Sequence, residues 1–438
     1  MVKKWYKQPS QKACVVGLDG VPHSMITRFT KAGVMPNLRD IASRGRITSM
    51  SVTLPEISSV SWSSFMTGKN PGEHGIFGFT DLREGSYKQT FPSFRDLKTE
   101  TIWDRIGEAG MNSVVINQPA TYPARPIHGA LVSGFVAVKL DRSVFPSKYL
   151  RLVRDLNYQI DVDAGEVRDD PPKLFKALAE LLDSRKRLFD ALWDSEKWNL
   201  MEVIVTGTDR LHHFIWDAYE DEAHPHHGDF LDYYRRVDDF IGHVYDKFRR
   251  LDCGDNFFLL SDHGFCQTKK EVYVNSVLTD LGYLQFESSD SNSLEDISEK
   301  STAFALDPAR IYIHRSGRFP RGSVAEDEVD ELKEELTSVF EGLDDGNDTI
   351  VRKIFYGADV YTGPHADKGP DLLLVPNNGY DFKGRIGAPG AFGERRLQGM
   401  HTWDDAFFVT LRPDLMPETD DFNLLDIPPQ ILSSLDVT

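Results

Sequence analysis

"ACVVGLDG" fills residues 13–20, and its reading decides the fold. A short apolar run with two adjacent valines suits a strand buried on both faces, and an Asp-Gly turn closes it. The pattern returns twice. "MEVIVTGTDRLHH" (201–213) and "NFFLLSDHGF" (256–265) are also apolar runs that end in a carboxylate, here with histidine added. Further apolar, β-rich runs cover Ser113–Asn117, Ala130–Phe135 and Asp371–Val375. Helical spacing of apolar residues lies between many of them, over Thr99–Ala109, Pro172–Trp193 and Phe230–Leu251. Short buried strands alternating with helices predict an α/β fold around a central, mostly parallel sheet flanked by helices.

The chain has 438 residues, 40 % hydrophobic and 27 % charged, which suits one large catalytic domain spanning 1–438. Fifty basic against 68 acidic residues give a net charge of −18, which disfavours duplex nucleic acid or an anionic membrane as the main partner. No apolar run reaches the length of a membrane span. "MVKKWYKQPSQKA" at the start lacks the apolar core of a signal peptide. Three cysteines at unpatterned spacings make a disulfide framework improbable, so the expected location is the cytoplasm. In the second half, Glu287–Ser301 is polar and acidic and reads as a mobile loop. The strand-like "ARIYIHRSG" (309–317) and a helix over Glu326–Glu341 follow it. They suggest a small cap or excursion over about 268–365. "LLDIPPQILSSL" near the end reads as a closing turn and helix.

In open α/β sheets, ligands bind beyond the carboxyl ends of the strands. Those ends carry Asp19; Asp209 with His212 and His213; and Asp262 with His263. His401, in "GMHTW", precedes the apolar "AFFVTL". One such Asp is usually a helix cap. Four such sites on one chain point to metal. Aspartate with neutral histidine suits Zn²⁺ or Mn²⁺ better than Mg²⁺. Five or six ligands exceed one tetrahedral ion and suit two, placed to clamp both oxygens of an in-line displacement.

"EISSVSWSSFMTGKNPGEHGIF" (56–77) then acquires a second meaning. Its residue types alone say N-cap and short helix, from Ser58 to Met66. A helix N-terminus also favours an anion, and metal coordination can hold a serine as an alkoxide nucleophile. Ser58, Ser59, Ser61 and Thr53 are the hydroxyl candidates.

Taken in order, "GLDG", "SSVSWSSFMTG" with "NPGEHGIF", "TDRLHH", "SDHGF" and "GMHTW" resemble the alkaline phosphatase superfamily. The closest likeness is to its type I phosphodiesterase and nucleotide pyrophosphatase branch and the related phosphohydrolase/phosphomutase group. The resemblance runs from residue 13 to about residue 410. It implies an alkaline-phosphatase-like fold and two divalent ions, Zn²⁺ ahead of Mn²⁺. Asp19, Asp262, His263 and the nucleophile oxygen would hold one ion, and Asp209, His213 and His401 the other. His213 is preferred to its neighbour His212 because the family pattern is Asp followed four positions later by His. Counting nine residues back from Thr67 makes Ser58 the nucleophile, ahead of Ser59 and Ser61, with Thr53 last. Trp62 stands where sulfatases carry arginine, which argues against sulfate esters. The Asn that contacts the phosphoryl oxygen in nucleotide pyrophosphatases has no counterpart in "GIFGFTDL", so nucleotide specificity is not carried over.

The expected function is hydrolysis of a small-molecule phosphoester, preferentially a diester, through phospho-Ser58. The alternatives are a phosphomutase or phosphomonoesterase on the same site, then a sulfatase or a non-catalytic binding protein. Arg210 could serve an anion or form a salt bridge. His224, His226 and His227 read as a solvated loop, His74 as a turn residue, His365 and Asp371 as structural, and Trp62 as core.

Overall fold

The computed structural model describes residues 11–288, 291, 293–346, 348–419 and 421–437. Most of the expected N-terminal segment, and Ser289, Asp290 and Asn292 of the expected loop, lie outside them. The main sheet has eight strands in the order Arg46–Met50, Ala406–Thr410, Phe257–Leu260, Ala13–Leu18, Leu200–Val205, Ser113–Gln118, Gly129–Ser133, Val144–Phe145. The five from Phe257–Leu260 to Gly129–Ser133 run parallel. The remaining pairings, Ala406–Thr410 with both its neighbours and the Val144–Phe145 edge, are antiparallel. The mostly parallel sheet and its flanking helices are as the sequence pattern predicts.

Alternation along Ala13–Leu18 shows why the strand is apolar throughout. Cys14, Val16 and Leu18 enter one core and Ala13 and Val15 the other. The first core is covered by Pro171–Ser195 and His227–Arg249, and the second by Ser58–Thr67, Ile102–Glu108 and Ile427–Ser434. Gly17 lies on the second face. A Cβ there would come within 2.5 Å of Ile204 and 2.6 Å of the Trp62 ring. Its lack of a side chain lets the Ser58–Thr67 helix lie close against the strand that ends in Asp19.

Of the six apolar runs, Asp371–Val375 joins a different sheet. Strand Leu372–Pro376 pairs antiparallel with Arg310–Ile313 and Val351–Tyr356, and Ala303–Leu306 forms the edge beyond Arg310–Ile313. Helix Val329–Glu341 packs on this sheet. A three-stranded sheet places Lys270–Tyr273 between Tyr380–Lys383 and Phe392–Glu394. The segment expected at about 268–365 covers the first part of this second-half excursion, whose strands continue to residue 394. The described part of the expected loop is anchored. Leu294 and Ile297 are buried in the excursion core, and Ile297 bridges Phe286.

One buried acid lies outside any site. Glu202, on the central Leu200–Val205 strand, is fully buried, and its Oε2 accepts from Trp103 Nε1 at 3.0 Å. Burial raises its pKa to about 8, partly opposed by that hydrogen bond. The raised value means the folded chain holds a proton that the unfolded chain releases. The favourable contribution is therefore complete below the ordinary Glu value and is lost as pH rises to about 8. Glu202→Gln is expected to flatten this dependence. Urea unfolding should show wild type losing on the order of a few kcal/mol from about pH 5 to about pH 8, and the variant much less.

Candidate metal centre and active site

Three parallel strands end side by side, and the residues just past them meet in space. Asp19 follows Ala13–Leu18, Asp262 and His263 follow Phe257–Leu260, and Asp209 sits in the first turn of the Gly207–Ile215 helix after Leu200–Val205. His213 lies one turn further along that helix and so on the face of Asp209. His401 arrives differently. Gly399–Thr402 pairs antiparallel with Gly264–Gln267, placing His401 opposite Phe265 and two residues from His263 in that register.

The six side chains form two groups. In the first, His263 Nε2 is 3.7 Å from Asp19 Oδ1 and 3.4 Å from Asp262 Oδ2, and Ser58 Oγ is 3.2 Å from Asp19 Oδ1 and 3.1 Å from His263 Nε2. In the second, Asp209 Oδ1 is 3.3 Å from both His213 Nε2 and His401 Nε2, which are 3.1 Å apart. The His263 and His401 rings stack at 3.7 Å and join the groups.

The outer contacts fix which ring nitrogens are available. His213 Nδ1 faces Gly399 O at 2.9 Å, His401 Nδ1 faces Glu56 O at 2.9 Å, and His263 Nδ1 faces Gly264 O at 3.0 Å. A carbonyl only accepts, so each Nδ1 carries the proton and each neutral ring turns its Nε2 lone pair inward. Those lone pairs face carboxylate oxygens and one another. Asp209 Oδ1 and Asp262 Oδ2 are buried and accept no hydrogen bond. Electron pairs that converge in this way are reconciled only by a cation, either a proton or a metal ion. The donor set of carboxylate oxygens and imidazole nitrogens therefore fits divalent metal.

Electrostatics report the same crowding. Burial, with Asp262 and Asp209 nearby, pushes Asp19 well above the ordinary carboxylate range. Burial raises Asp262 to about 8, against the Gly20 N–H that donates to its Oδ1 at 3.0 Å. Burial lowers His401 to about 3, helped by His263. Asp209 goes the other way. Burial raises it, but the close-lying His213 and His401 rings and the Arg210 guanidinium hold it well below its usual value.

Sequence alternatives separate cleanly. His212 is fully buried, with Nδ1 2.8 Å from Gly20 O and Nε2 2.6 Å from Tyr234 OH, so both its nitrogens are committed. Of the hydroxyls, Ser58 alone reaches Asp19 and His263. Thr53 donates to Ser64, while Ser59 and Ser61 are buried without partners. Trp62 is core, as expected, and also donates from Nε1 to Asp19 Oδ2 at 3.1 Å. His74 is a turn residue: its Nε2 meets Ser64 Oγ and its Nδ1 accepts from Ile76 N. Asp371 ties Arg315, Arg318 and the Ile313 amide. His226 pairs with Asp229 of the helix that follows it, and His227 with the Ala218 carbonyl of the preceding helix. Asn70 caps the Pro71–His74 helix, and Asn117 bonds Ile204 O, Thr206 and Tyr158.

Beside the metal groups lies a cavity of about 360 Å³ that the sequence did not reveal. Ser58, Asp209, His213 and His401 form one side. Phe79 and Phe135, stacked with ring centroids 5.6 Å apart, and Phe382, Asp381 and Lys383 contribute to its other walls. Its cations are neutralised. Arg210 Nη2 is 2.6 Å from Asp161 and its Nη1 3.5 Å from Asp209, and Lys383 is 2.7 Å from Asp381. Arg210 is thus a salt-bridged residue whose guanidinium still faces the site. Glu56, buried at the rim, has its pKa raised by burial to about 7.

This arrangement of strand-end aspartates, inward-facing imidazoles and a helix-borne serine defines a phosphoester hydrolase of the alkaline phosphatase superfamily. The chain belongs to the type I phosphodiesterase / nucleotide pyrophosphatase family, which it matches over residues 13–404. No curated protein sequence matches it. Solved structures with a similar fold include phosphonoacetate hydrolase from Sinorhizobium meliloti 1021 in complex with phosphonoformate (14 % identity, 98 % of this chain and 96 % of that one, TM-score 0.64). Murine ectonucleotide pyrophosphatase / phosphodiesterase 5 in complex with AMP is similar at 15 % identity (98 % and 96 % covered, TM-score 0.57). A mutant of alkaline phosphatase PafA is similar at 11 % identity (99 % and 97 % covered, TM-score 0.60).

Metal should stabilise the fold measurably. Adding Zn²⁺ or Mn²⁺ to chelator-treated protein is expected to raise Tm by several degrees, since saturation at about a hundred times Kd contributes about 2.7 kcal/mol per site. Asp262→Asn should reduce that rise, whereas His212→Ala should lower the starting Tm and leave the rise intact.

Proposed function

We propose that the protein hydrolyses a small-molecule phosphodiester through a phosphoseryl intermediate on Ser58, at two divalent ions, Zn²⁺ ahead of Mn²⁺. The observation that carries this reading is the convergence of three imidazole lone pairs and three carboxylates in two adjoining groups, one of which includes the Ser58 oxygen. Asp19, Asp262, His263 and Ser58 Oγ would hold one ion, and Asp209, His213 and His401 the other. Ions held there would supply positive charge near the phosphoryl oxygens and would lower the pKa of the serine hydroxyl and of a water molecule. Ser58 Oγ attacks phosphorus from the N-terminus of its helix, where backbone N–H groups of the first turn favour the transferring group. Trp62 and the Gly20 amide orient Asp19 and Asp262, and the carbonyls of Glu56, Gly264 and Gly399 orient the imidazoles. The leaving group occupies the cavity lined by Phe79, Phe135 and Phe382. Three cysteines free of disulfide suit the cytoplasm, and no described helix is long and apolar enough to cross a membrane.

Charge favours a diester. A monoester brings an extra negative charge, and the cavity's two cations already face carboxylates. On one metal-loaded preparation, kcat/KM for bis(p-nitrophenyl) phosphate should exceed that for p-nitrophenyl phosphate. A strong preference for the monoester would move the assignment to a phosphatase or phosphomutase.

Ser58→Ala should lower kcat by orders of magnitude while elemental analysis still finds about two ions per chain. Ile57, not Ser58, occupies the helix cap position, so the folding loss should be small, about 1 kcal/mol or less. An active Ser58→Ala protein would rule out the phosphoseryl step.

A further inference from the structure

The catalytic cavity does not end at its inner wall. Lys383 and Leu397 line it and also line a second, more open cleft of about 500 Å³. This cleft lies where the Lys270–Tyr273 sheet meets the main body near Arg168. Its charge is unlike that of the molecule. On a chain of net charge −18 it gathers Arg168, Lys383, Arg385 and Arg396. Its two acids are engaged: Glu271 accepts from Tyr273 OH at 2.9 Å and lies 3.6 Å from Arg396, and Asp307 accepts from the Gly384 amide.

Two of the four cations lack an acid partner. Among the described residues, Arg168 and Arg385 make no ion pair with a carboxylate. Arg168 donates to the Arg396 carbonyl, and Arg385 lies over the Tyr273 ring at 5.7 Å from its centroid. Both guanidiniums therefore keep donors for an anion. The inner cavity shows the opposite balance, since Arg210 and Lys383 there both face carboxylates.

We propose that this cleft binds a second anionic group at the far end of the substrate, a phosphate or a carboxylate, connected past Lys383 and Leu397 to the phosphodiester at Ser58. The proposal rests on the hydrolase reading of the inner site and names what that reading leaves open, the chemistry of the substrate's remote end. Arg168 and Arg385 are then specificity-determining residues. They touch neither the scissile group nor the proposed metal ligands.

The test compares two p-nitrophenyl phosphodiesters of hexanediol, one ending in a free hydroxyl and one in a phosphate, on metal-loaded protein at low ionic strength. Wild type should prefer the phosphate-ended ester by about tenfold in kcat/KM, the scale of one charge-assisted contact, and the preference should shrink with added salt. The double variant Arg168→Ala with Arg385→Ala should lose the preference. A control with Arg151→Ala and Arg235→Ala, which removes as much charge elsewhere, should keep it. Equal use of both esters by wild type, or a preference that survives in the double variant, overturns the cleft and leaves the hydrolase reading standing. If neither ester is cleaved, the hydrolase reading fails and calorimetry decides the cleft separately. Tighter binding of hexanediol bisphosphate than of hexyl phosphate, abolished in the double variant, sustains it, and equal binding overturns it.

Discussion

Three buried aspartates whose negative charges crowd one another set the terms for the rest of this structure. Asp19, Asp209 and Asp262 are 3 %, 7 % and 0 % exposed, and they crowd one another at the ends of neighbouring parallel strands. Water would screen such charges, but the core excludes it. The histidines around them bring no fixed positive charge, because their Nδ1 atoms are spent on carbonyls and their Nε2 atoms turn inward as acceptors. Arg210, 3.5 Å from Asp209 and paired mainly with Asp161, offsets only part of this buried negative charge. On the proposed two-ion reading, metal binding would be coupled to folding for that reason.

Holding such a site requires the backbone to be placed closely, and small residues achieve it. Gly17 leaves room for Trp62, and Trp62 both packs the nucleophile helix on the strand and donates to Asp19. One ring thus fixes the distance between Ser58 and its carboxylate neighbour. Gly20 works in two directions: its amide donates to Asp262 and its carbonyl ties down His212. His212 looks like a ligand in sequence but anchors the helix that presents Asp209 and His213.

The parts legible in the sequence were those governed by local pattern. Ala13–Leu18 follows its apolar run residue for residue, and Asp19, Asp209 and Asp262 could be found because the fold focuses ligands at strand ends. Ser58 is singled out by the resemblance, which places the nucleophile nine residues before Thr67. What stayed hidden depends on pairings between distant segments. His401 is named by its motif, but its meeting with His263 depends on the register of two short strands separated by more than 130 residues. Leu372–Pro376 reads as a buried strand, but nothing local says that it pairs antiparallel in a second sheet. The resemblance prefers His213 to His212 by the spacing from Asp209, but the contact that occupies His212 comes from Tyr234, a residue of another helix. The cavity walls, Phe79, Phe135 and the adjacent Phe382 and Lys383, come from three separated stretches with no common motif.

Chemistry and recognition are therefore built from different material. Strand ends of the parallel sheet carry Asp19, Asp209, Asp262 and His263, most of the proposed metal ligands, where a shift of one residue would turn every side chain to the wrong face. The excursion supplies Asp381, Phe382 and Lys383 from a separate sheet edge, where such changes leave the metal ligands untouched. Arg310 connects the two. Fully buried in the excursion, it packs over Gly78 and bonds Asp81 and the Thr80 carbonyl, on the segment that carries Phe79 to the cavity. A guanidinium held this way ties the excursion to the cavity wall near Ser58, so on the proposed reading changes in substrate preference would arise in the excursion without disturbing the burial of the three aspartates.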